Sequence, residues 1–563
     1  MNTYYLRNFG IRPNSDNDIV PILKSVLELA HHNNKPCEIV LENGTYNAYL
    51  TDLAELDIHV SNTISDCEYR ENGEIVSIKR KSPFILKNMS DITIDGCGSL
   101  IKCHGKMTQI ILECCKNIIF KNLIFDYVNP TVTEMMVISC GRNYLDCVIP
   151  AFCPYKITDK KLIWYGENFS FSKGISQIFN PKTGFTWRFF SPLEDENAYY
   201  EEMERGLIRL YFNSHTGINN PYGAKTGYIF QMRDPIRDEC GIIVSNCINT
   251  SFINVTMHFM SGLGFIAQNS ENIYLNGFKV FPPVGRTVSC AADFMHFSGC
   301  RGKIKIQNGY FIGAHDDAIN VHGTHLKITE TDHISDKIKI RFMHPQTYGI
   351  CGFTDGDEIG SIDPETLHEI ATTKIKRVYE INPYEMILKL DSSEGFEPGK
   401  MVENITANAE VIISNNHFER IPTRGILVTT RKSVVIENNE FVKVTGCGIL
   451  IADDARSWYE SGHVTDVIIK NNIYRSSSDS FVRIEPECSE NNVEAVHSGI
   501  KIIDNVIELS DTNEVISAKN VEGLVFENNI IYGNFDASRS TLENVKNMTI
   551  RKNSFNGKEW YPQ

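Results

Sequence analysis

Six segments near the C-terminal end of the chain share one template, in which an alternating apolar strand is followed by an asparagine-rich turn. A period in the low twenties with several short strands predicts the coils of a parallel β-helix, because each coil buries its inner face only by stacking on the next. Asparagine suits such a turn, since it tolerates a left-handed backbone and its amide can bond to the asparagine one coil above. The segments, which start 23 to 34 residues apart, are VIISNNHF (411–418), VVIENNEF (434–441), VIIKNNIY (467–474), KIIDNVIE (501–508), LVFENNII (524–531) and MTIRKNSF (548–555).

Weaker copies of the template, such as DITIDGCG (91–98) and KIKIQNGYF (303–311), extend the pattern toward the N-terminus. Two long stretches break the period with Gly-, Pro- and charge-rich turns between β-patterned runs, and they are too long for structureless loops. Helical spacing of apolar residues over 18–33 predicts a helix that caps the first coil. We therefore predict an all-β solenoid in five parts: an N-terminal cap and first coils (1–129), an inserted β-domain (130–235), central coils (236–323), a second inserted β-domain (324–403) and C-terminal coils (404–563).

Composition narrows the range of partners. The net charge of −15 argues against nucleic acid or an anionic membrane surface, and a neutral ligand fits better. Sixteen cysteines occur without C-x-x-C pairs, so we expect buried free thiols in a reducing compartment rather than a zinc site. The sequence has no run of about 18 apolar residues, so it predicts no membrane span. The N-terminus lacks a signal-peptide pattern. We expect a soluble protein, with export left open.

The stretch GAHDDAINVHG (313–323) places Asp316 beside Asp317, and Asp293 lies 23 residues earlier, about one coil away. Stacked strands are about 4.8 Å apart, so the three carboxylates are predicted to share one patch. Both adjacent aspartates can reach it only if the backbone bends between them. Repulsion within such a patch raises the pKa of at least one carboxyl group, as glycoside hydrolysis requires of its acid.

The segment 292–328, ADFMHFSGCRGKIKIQNGYFIGAHDDAINVHGTHLKI, resembles glycoside hydrolase family 110, and the resemblance extends over nearly the whole chain. The family's motif, one aspartate a coil before an Asp-Asp pair that is followed by NVHG, is matched by Asp293, Asp316, Asp317 and residues 320–323. The resemblance implies a right-handed parallel β-helix with inserted β-barrel domains. It also implies an inverting exo-α-galactosidase that removes terminal α-1,3-linked galactose, from branched blood-group-B-type chains or from linear Galα1-3Gal.

By analogy with polygalacturonase-like β-helix enzymes, Asp316 is assigned as general acid and Asp293 with Asp317 as the pair that activates water. These carboxylates supply the whole reaction, so no metal or cofactor is expected. The expected partner is a glycan with terminal α-galactose, and a homo-oligomer stays open. Candidate substrate-binding residues, several of which could equally be satisfied turn or packing residues, are Gln268, His296, His315, Asn320, His322, Arg424, Trp458 and Glu460.

Three other functions compete with this one. A polysaccharide lyase would use carboxylates to hold calcium and a Lys or Arg as base, but the nearest basic residue to the aspartate pair along the chain is Lys327. A polygalacturonase-like hydrolase needs cationic groups for its acidic polymer, and the net charge of −15 with few Lys or Arg expected near the aspartates argues against it. A non-catalytic carbohydrate-binding β-helix would explain the solenoid without explaining three convergent aspartates.

Overall fold

The protein winds as a parallel β-helix whose coils present three faces. The computed structural model describes residues 2–33, 35–63, 78–213, 221–489, 492, 494–510, 514–534 and 540–561. Within these ranges no helix is long and apolar enough to cross a membrane.

The first two faces meet at the asparagine-rich turn and form one continuous hydrogen-bonded sheet. Two long strands, Ser90–His104 and Lys116–Tyr127, run through both faces. The other strands of the first face are Asn2–Tyr5, Cys37–Val40, Ile248–Ile253, Glu271–Asn276, Arg301–Gln307, Glu410–Ser414, Val434–Glu437, Val467–Lys470, Ile500–Ile503, Val525–Glu527 and Thr549–Arg551. Those of the second are Thr45–Tyr49, Thr256–Met257, Lys279–Val280, Tyr310–Ile312, His417–Ile421, Glu440–Val444, Ile473–Ser477, Val506–Leu509, Ile530–Tyr532 and Asn553–Phe555, where Lys558–Trp560 pairs antiparallel at the end.

The third face is a separate parallel sheet, and it carries the candidate site. Its strands are Phe84–Lys87, Ile110–Glu113, Cys240–Ser245, Leu263–Gln268, Met295–Ser298, Ile319–Thr324, Ile426–Val428, Ile449–Ile451, Val482–Ile484, Ile516–Glu522 and Thr541–Lys546. The short strands His497–Ser498 and Glu460–Ser461 attach at its margins.

Side chains at matching positions of successive coils stack to form the core. Phe311, Phe418 and Phe441 lie in register on the second face, and their rings stack at 5.2 and 5.1 Å between centroids. Stacking of like residues on like residues fills the interior without gaps, because the register of the strands repeats from coil to coil. The fifteen cysteines among the described residues are all free, and most of them are buried.

An asparagine ladder joins six coils at the corner between the first two faces. The side-chain oxygen of Asn439 accepts the backbone N–H of Asn416 at 3.0 Å and its amide N–H at 2.9 Å. The same pair of bonds recurs at every later step, through Asn472, Asn505, Asn529 and Asn553. The predicted amide contact between coils is confirmed, and it satisfies backbone N–H groups that are buried at the corner.

The residue before each rung of the ladder has a left-handed backbone. Asn415, Asn438, Asn471 and Asn528 have φ between 54° and 58°, which asparagine tolerates better than most residues. Asp504 and Lys552 adopt the same backbone before the other two rungs, with φ of 58° and 56°. The first position therefore favours asparagine for its backbone, whereas the second uses asparagine at every rung for its amide.

The predicted N-terminal helix is Val20–Asn33. Its apolar side chains, including Leu23, Val26 and Leu27, pack into the main core, and the Asp18 carboxylate accepts the Val20 N–H at 3.0 Å as a cap. A short 3-10 helix, Leu6–Phe9, precedes it.

The first insertion leaves the coil after the second face and returns before the third. It forms a seven-stranded antiparallel sheet and an adjoining three-stranded sheet over its own core. The seven strands are Val132–Cys140, Tyr144–Val148, Ile175–Asn180, Phe185–Phe189, Tyr199–Glu204, Leu207–Tyr211 and Ile229–Arg233, and the three are Tyr155–Thr158, Lys161–Gly166 and Phe169–Phe171.

The second insertion leaves the third face and returns to the first as a closed six-stranded barrel. Its strands are Leu326–Asp332, Lys337–Arg341, Glu358–Ile362, Glu369–Asn382, Glu385–Leu390 and Met401–Asn404. The two insertions therefore leave the helix at opposite edges of the third face. A β-helix with inserted β-domains was predicted, and this fold class is confirmed.

The ladder should matter more to stability than the turn beside it. Asn472→Ala removes the acceptor of two N–H groups of Asn439, and each buried group left unsatisfied costs about 1–3 kcal/mol. We expect a clear fall in the thermal unfolding midpoint. Asn471→Gly is the matched control, because residue 471 is exposed and glycine adopts its φ of 54° readily. If the two substitutions lowered the thermal unfolding midpoint equally, the ladder would not matter more to stability than the turn.

Candidate active site

The strands of the third face place polar side chains on the outer surface of the helix by simple alternation. In Met295–Ser298 and Ile319–Thr324 the apolar residues enter the core, so His296, Asn320 and His322 point outward. The register pairs Met295 with Ile319 and Ile319 with Ile426.

Two residues before those paired positions stand Asp293, Asp317 and Arg424, in one column across three coils. The sequence spacing of 23 suggested Asp316 as the coil neighbour of Asp293. The actual register is 24 residues, so the neighbour is Asp317. The Asp317 carbonyl accepts the N–H of Phe294 at 3.0 Å, which fixes this register locally.

Asp316 reaches the same patch because the chain bends there, as predicted. Residues 313–318 form no strand and connect Tyr310–Ile312 of the second face to Ile319–Thr324 of the third. One carboxylate oxygen from each of Asp293, Asp316 and Asp317 lies within 4.8 Å of the others. The side chain of Asp316 is 20 % exposed, against 8 % and 2 % for Asp293 and Asp317, so Asp316 is the most solvent-exposed of the three.

Two arginines form ion pairs with the aspartate pair, and a threonine hydroxyl donates a hydrogen bond to it. The Arg188 guanidinium, from the first insertion, lies 2.7 Å from Asp316 Oδ2. Arg424 lies 2.7 Å from Asp317 Oδ2 and donates its backbone N–H to Oδ1 at 3.0 Å. The Thr423 hydroxyl donates to Asp317 Oδ1 at 2.5 Å and lies 3.3 Å from Asp316 Oδ1.

Histidines occupy the other side of the patch. His296 Nδ1 lies 3.0 Å from Asp293 Oδ2, and His296 Nε2 lies 2.8 Å from His322 Nε2. The second nitrogen of His322, Nδ1, bonds to the carbonyl of Gly323. Both imidazoles are buried. His296 therefore contacts Asp293 directly, His322 reaches it only through His296, and neither ring is open to solvent.

The three carboxyl groups differ in acidity. Burial and the nearby charge of Asp316 raise the pKa of Asp293 to about 7. Burial and the other two aspartates raise the pKa of Asp317 to about 7, although Arg424 opposes the shift. Burial also acts on Asp316, but Arg188 and three further arginines outweigh it and lower its pKa. In the free protein Asp316 is therefore ionised, while Asp293 and Asp317 hold protons below pH 7.

Glu460 anchors a second polar cluster beside the histidines. Its Oε1 accepts the Asn62 side-chain amide at 3.0 Å, lies 3.3 Å from the amide of Asn320 and stands 3.5 Å from His322 Nε2. Burial raises the pKa of Glu460, but His322 and His296 outweigh it and lower the pKa overall. The barrel joins this cluster because the Thr347 hydroxyl donates to Asn62 Oδ1 at 2.5 Å.

A tight turn sets the position of Trp458. The Asp454 carboxylate accepts backbone N–H groups along the turn, among them those of Ser457 and Trp458. Trp458 is 43 % exposed and stacks on His344 of the barrel at 4.4 Å between centroids, with the Arg237 guanidinium 5.8 Å from its ring. The pair of rings forms an exposed aromatic platform.

Two predicted ligands lie elsewhere. Both ends of the Gln268 amide bond to the N-terminal loop, since Oε1 accepts the Ser61 N–H at 3.1 Å and Nε2 donates to the His59 carbonyl at 2.9 Å. Gln268 is buried, so it holds that loop in place rather than facing a ligand. His315 is also buried, and burial with nearby Arg233 lowers its pKa. Its ring does not reach the cleft surface, because the bend that presents Asp316 turns it inward.

Several functional residues had no signal in the sequence. Asn62, Arg188 and Arg237 come from distant loops and from the first insertion, and only the fold brings them to the patch. Thr423 could have been found, because it directly precedes Arg424. The expectation that few basic residues surround the aspartates is wrong, since Arg188, Arg233 and Arg237 act on Asp316 together with Arg424.

In the part of the chain that the structure describes, two sets of donor atoms are close enough together to surround a cation: the three aspartates, and His296 with His322 and Glu460. Carboxylates in such a patch suit a hard divalent ion. Here Arg188 and Arg424 already lie 2.7 Å from two of the aspartates, and a cation would have to compete with both guanidinium groups. The arrangement suits proton transfer between carboxyl groups better than it suits a metal.

Comparisons with known proteins place this site in context. Residues 337–401 match the family described as GLAA-B beta-barrel domain II, and residues 402–506 match the one described as right handed beta helix region. These ranges agree with the barrel and the C-terminal coils. Among solved structures, a hyperthermoactive exopolygalacturonase from Thermotoga maritima matches with a TM-score of 0.41 at 10 % identity, over 99 % of this chain and 92 % of that chain.

Curated relatives match over nearly the whole length. Alpha-1,3-galactosidase A of Bacteroides thetaiotaomicron is 36 % identical over 97 % of this chain and 96 % of its own. Alpha-1,3-galactosidase A of Streptomyces avermitilis is 31 % identical over 93 % and 86 %, respectively. A right-handed β-helix with clustered carboxylates and relatives of this kind is a glycoside hydrolase. The chain belongs to the family of these alpha-1,3-galactosidases.

The raised pKa of Asp293 gives a pH dependence of stability. A carboxyl group whose pKa is higher in the folded state stabilises the fold at low pH, and this contribution is lost as pH rises through about 7. Asp293→Asn removes that titration, so its thermal midpoint should gain on the wild type between pH 5 and pH 8. The control is Asp332→Asn at an exposed site, where the Ser335 hydroxyl lowers the pKa and the difference should stay flat. A flat difference for Asp293→Asn as well would show that Asp293 is ionised throughout.

Proposed function

We propose that this protein is an exo-acting, inverting α-galactosidase of glycoside hydrolase family 110 that releases terminal α-1,3-linked galactose. The observation that carries the proposal is the convergence of Asp293, Asp316 and Asp317 on one walled patch, in a chain related over its length to alpha-1,3-galactosidases. Blood-group-B-type chains and linear Galα1-3Gal are the proposed substrates.

Walls on several sides support attack at chain ends. Arg188 of the first insertion, Thr347 and His344 of the barrel, Asn62 of the N-terminal loop and the turn with Trp458 all contact the patch or its neighbours. An open groove would admit the middle of a polymer, whereas a patch bordered by contacts on several sides would admit a terminal sugar. We therefore propose that the insertions 130–235 and 324–403 act as wall domains on a catalytic helix.

The exposed position of Asp316 supports its role as general acid. It stands at the bend, where a glycosidic oxygen can approach it, whereas Asp293 and Asp317 lie deeper in one column. The buried pair would hold a water and take its proton. Arg424 would keep Asp317 ionised during the reaction, since the two are 2.7 Å apart.

This assignment runs against the order of pKa values in the free protein, where Asp316 is the ionised member. We assign Asp316 as the acid from its position rather than from its charge in the free protein, because the protons of a coupled cluster are shared among its members. A substrate that draws Arg188 away from Asp316 removes the strongest influence that lowers the pKa of Asp316. A proton held by the neighbouring Asp317 can then pass to it.

Inversion rests on the number of carboxylates. A retaining enzyme needs two, a nucleophile and an acid, whereas here two can share one water and the third remains as acid. The nearest carboxylate oxygens, within 4.8 Å, are closer than the about 6.5–9.5 Å usual for inverting pairs. The anomer of the product therefore decides between the two mechanisms.

The aromatic platform of Trp458 and His344 supports a sugar-binding role. A sugar presents C–H groups on one face, and such a face packs well on an aromatic ring. Asn320, His322, Glu460 and Arg424 lie beside the trio, and we propose that Asn320 and Arg424 also contact sugar hydroxyls.

A second candidate is favoured by the four arginines. Arg188, Arg233, Arg237 and Arg424 act on Asp316 and would suit an acidic sugar, as a polygalacturonase-like exo-hydrolase requires. Two of them are already paired with aspartates, which lowers the charge left for a ligand.

A small substrate panel tests both candidates. We expect free galactose from blood-group-B trisaccharide and linear Galα1-3Gal and little from Galα1-4 and Galα1-6 disaccharides. We expect no free galacturonate from oligogalacturonate, which the second candidate would release. NMR should show β-galactose as the first anomer formed, because direct displacement by water inverts the α-linkage. Activity should survive a strong chelator. First-formed α-galactose, internal cleavage products or a requirement for calcium would each contradict the proposal.

A substrate whose leaving group needs no proton distinguishes the general acid from the residues that activate water. Asp293→Asn, Asp316→Asn and Asp317→Asn should each lower turnover of the disaccharide by about 10²–10⁴-fold, as removal of acid–base catalysis does. The acid variant alone should recover much of its activity on 2,4-dinitrophenyl α-galactoside, whose leaving group needs no proton. Recovery in Asp317→Asn, rather than in Asp316→Asn, would transfer the acid role to Asp317.

A further inference from the structure

An unbroken chain of polar atoms leads from Asp293 into the protein. Asp293 Oδ2 lies 3.0 Å from His296 Nδ1, and His296 Nε2 lies 2.8 Å from His322 Nε2. His322 Nε2 in turn stands 3.5 Å from Glu460 Oε1. Each imidazole is 4 % exposed or less, so bulk water has little access to these contacts.

Counting hydrogens along this chain leaves two arrangements. The Gly323 carbonyl can only accept, so His322 Nδ1 must carry a hydrogen. The two Nε2 atoms face each other at hydrogen-bond distance, so one hydrogen must lie between them. Burial and His322 lower the pKa of His296 to about 3, so that ring is neutral and carries only one hydrogen. If the shared hydrogen belongs to His296, then Nδ1 of His296 is bare and Asp293 is protonated. If it belongs to His322, that ring is an imidazolium and His296 donates Nδ1–H to an ionised Asp293.

The two arrangements differ only by a shift of protons along the chain. We propose that His296 and His322 form a proton relay that carries a proton from Asp293 to His322, beside Glu460. The inference rests on the proposed function, in which Asp293 is part of the base. Asp293 O–H gives its proton to His296 Nδ1, His296 Nε2–H gives its proton to His322 Nε2, and no other bond changes. The products are an Asp293 carboxylate and a His322 imidazolium.

The relay answers a need of the reaction. In the displacement step, water oxygen bonds to the anomeric carbon, the glycosidic bond breaks, Asp316 protonates the leaving oxygen, and the water proton passes to the Asp293 carboxylate. Asp293 must lose that proton before the next turnover. It is 6 % exposed, and direct release to solvent is hindered. The relay takes the proton to the side away from the substrate, next to Glu460, whose side chain is 14 % exposed.

Charges around the relay favour this direction. His296 faces Asp293, Asp316, Glu460, Arg237 and His322, and burial with His322 lowers its pKa to about 3. A ring with so low a pKa passes a proton on without keeping it. An imidazolium at His322 lies beside the Glu460 carboxylate. Asn62 and Asn320 donate to that carboxylate and fix it in place.

His322→Gln tests the relay through the pH profile. Without the ring, a proton on Asp293 has no second site within the protein, so Asp293 ionises only when the proton leaves altogether, which requires a higher pH. We expect the acidic limb of kcat/KM to move up by about one pH unit, with about tenfold loss at pH 5 and a much smaller loss at pH 8. Glu460→Gln keeps the shape of the anchor, removes its charge and should move the limb the same way. If His322→Gln fails to fold, which thermal unfolding will show, Glu460→Gln provides the test in its place.

Two further variants keep the outcomes separate. His497→Gln, at a buried histidine of the C-terminal coils whose pKa is also about 3, controls for damage from any buried imidazole and should leave the limb unmoved. If His322→Gln and Glu460→Gln lower activity equally at every pH, their role is structural and the relay is wrong. If Asp293→Asn is as active as the wild type, the base assignment itself fails. An inactive Asp293→Asn with unshifted limbs overturns the relay alone.

Discussion

Hydrogen bonding between coils in a fixed register is the constraint on which everything else depends. The asparagine ladder sets that register at one corner, through paired bonds of 2.9 to 3.1 Å at each of its five steps. On the third face the same regularity aligns Asp293, Asp317 and Arg424. A slip of one residue would turn the outward histidines into the core. Stability and the geometry of the site therefore have one origin.

The inserted domains supply what a bare solenoid cannot. Three carboxylates on one patch repel each other, and the coils offer Arg424, Thr423 and His296 as their partners. Arg188 and Arg237 arrive with the first insertion and its return to the helix, and Thr347 arrives with the barrel. Enclosure buries the carboxyl groups and raises two of their pKa values, while the arginines lower the third. The inserted domains thus affect the acidity of the site as well as access to it.

The fold was largely predictable from the sequence because a solenoid repeats its local rules. Template spacing and paired asparagines predicted the helix, and the double aspartate predicted the patch and the bend. The register of 24 rather than 23 was missed, because one residue at a bend leaves no mark on apolar alternation. Arg188 and Asn62 were missed because their contacts span more than a hundred residues. Gln268 was assigned to substrate because its coil position was right, but its amide is used within the protein.

Both insertions leave and rejoin a coil without interrupting the stack. Tyr310–Ile312 pairs directly with His417–Ile421, although the whole barrel lies between them in sequence. Under the proposed function, proton chemistry and substrate choice are thereby placed on separate stretches of chain. Loops and strands of the insertions can change in length or composition while the column of Asp293, Asp317 and Arg424 keeps its alignment. A scaffold of this kind could diversify its glycan specificity by exchanging insertions, with the proposed acid–base groups inherited unchanged beneath them.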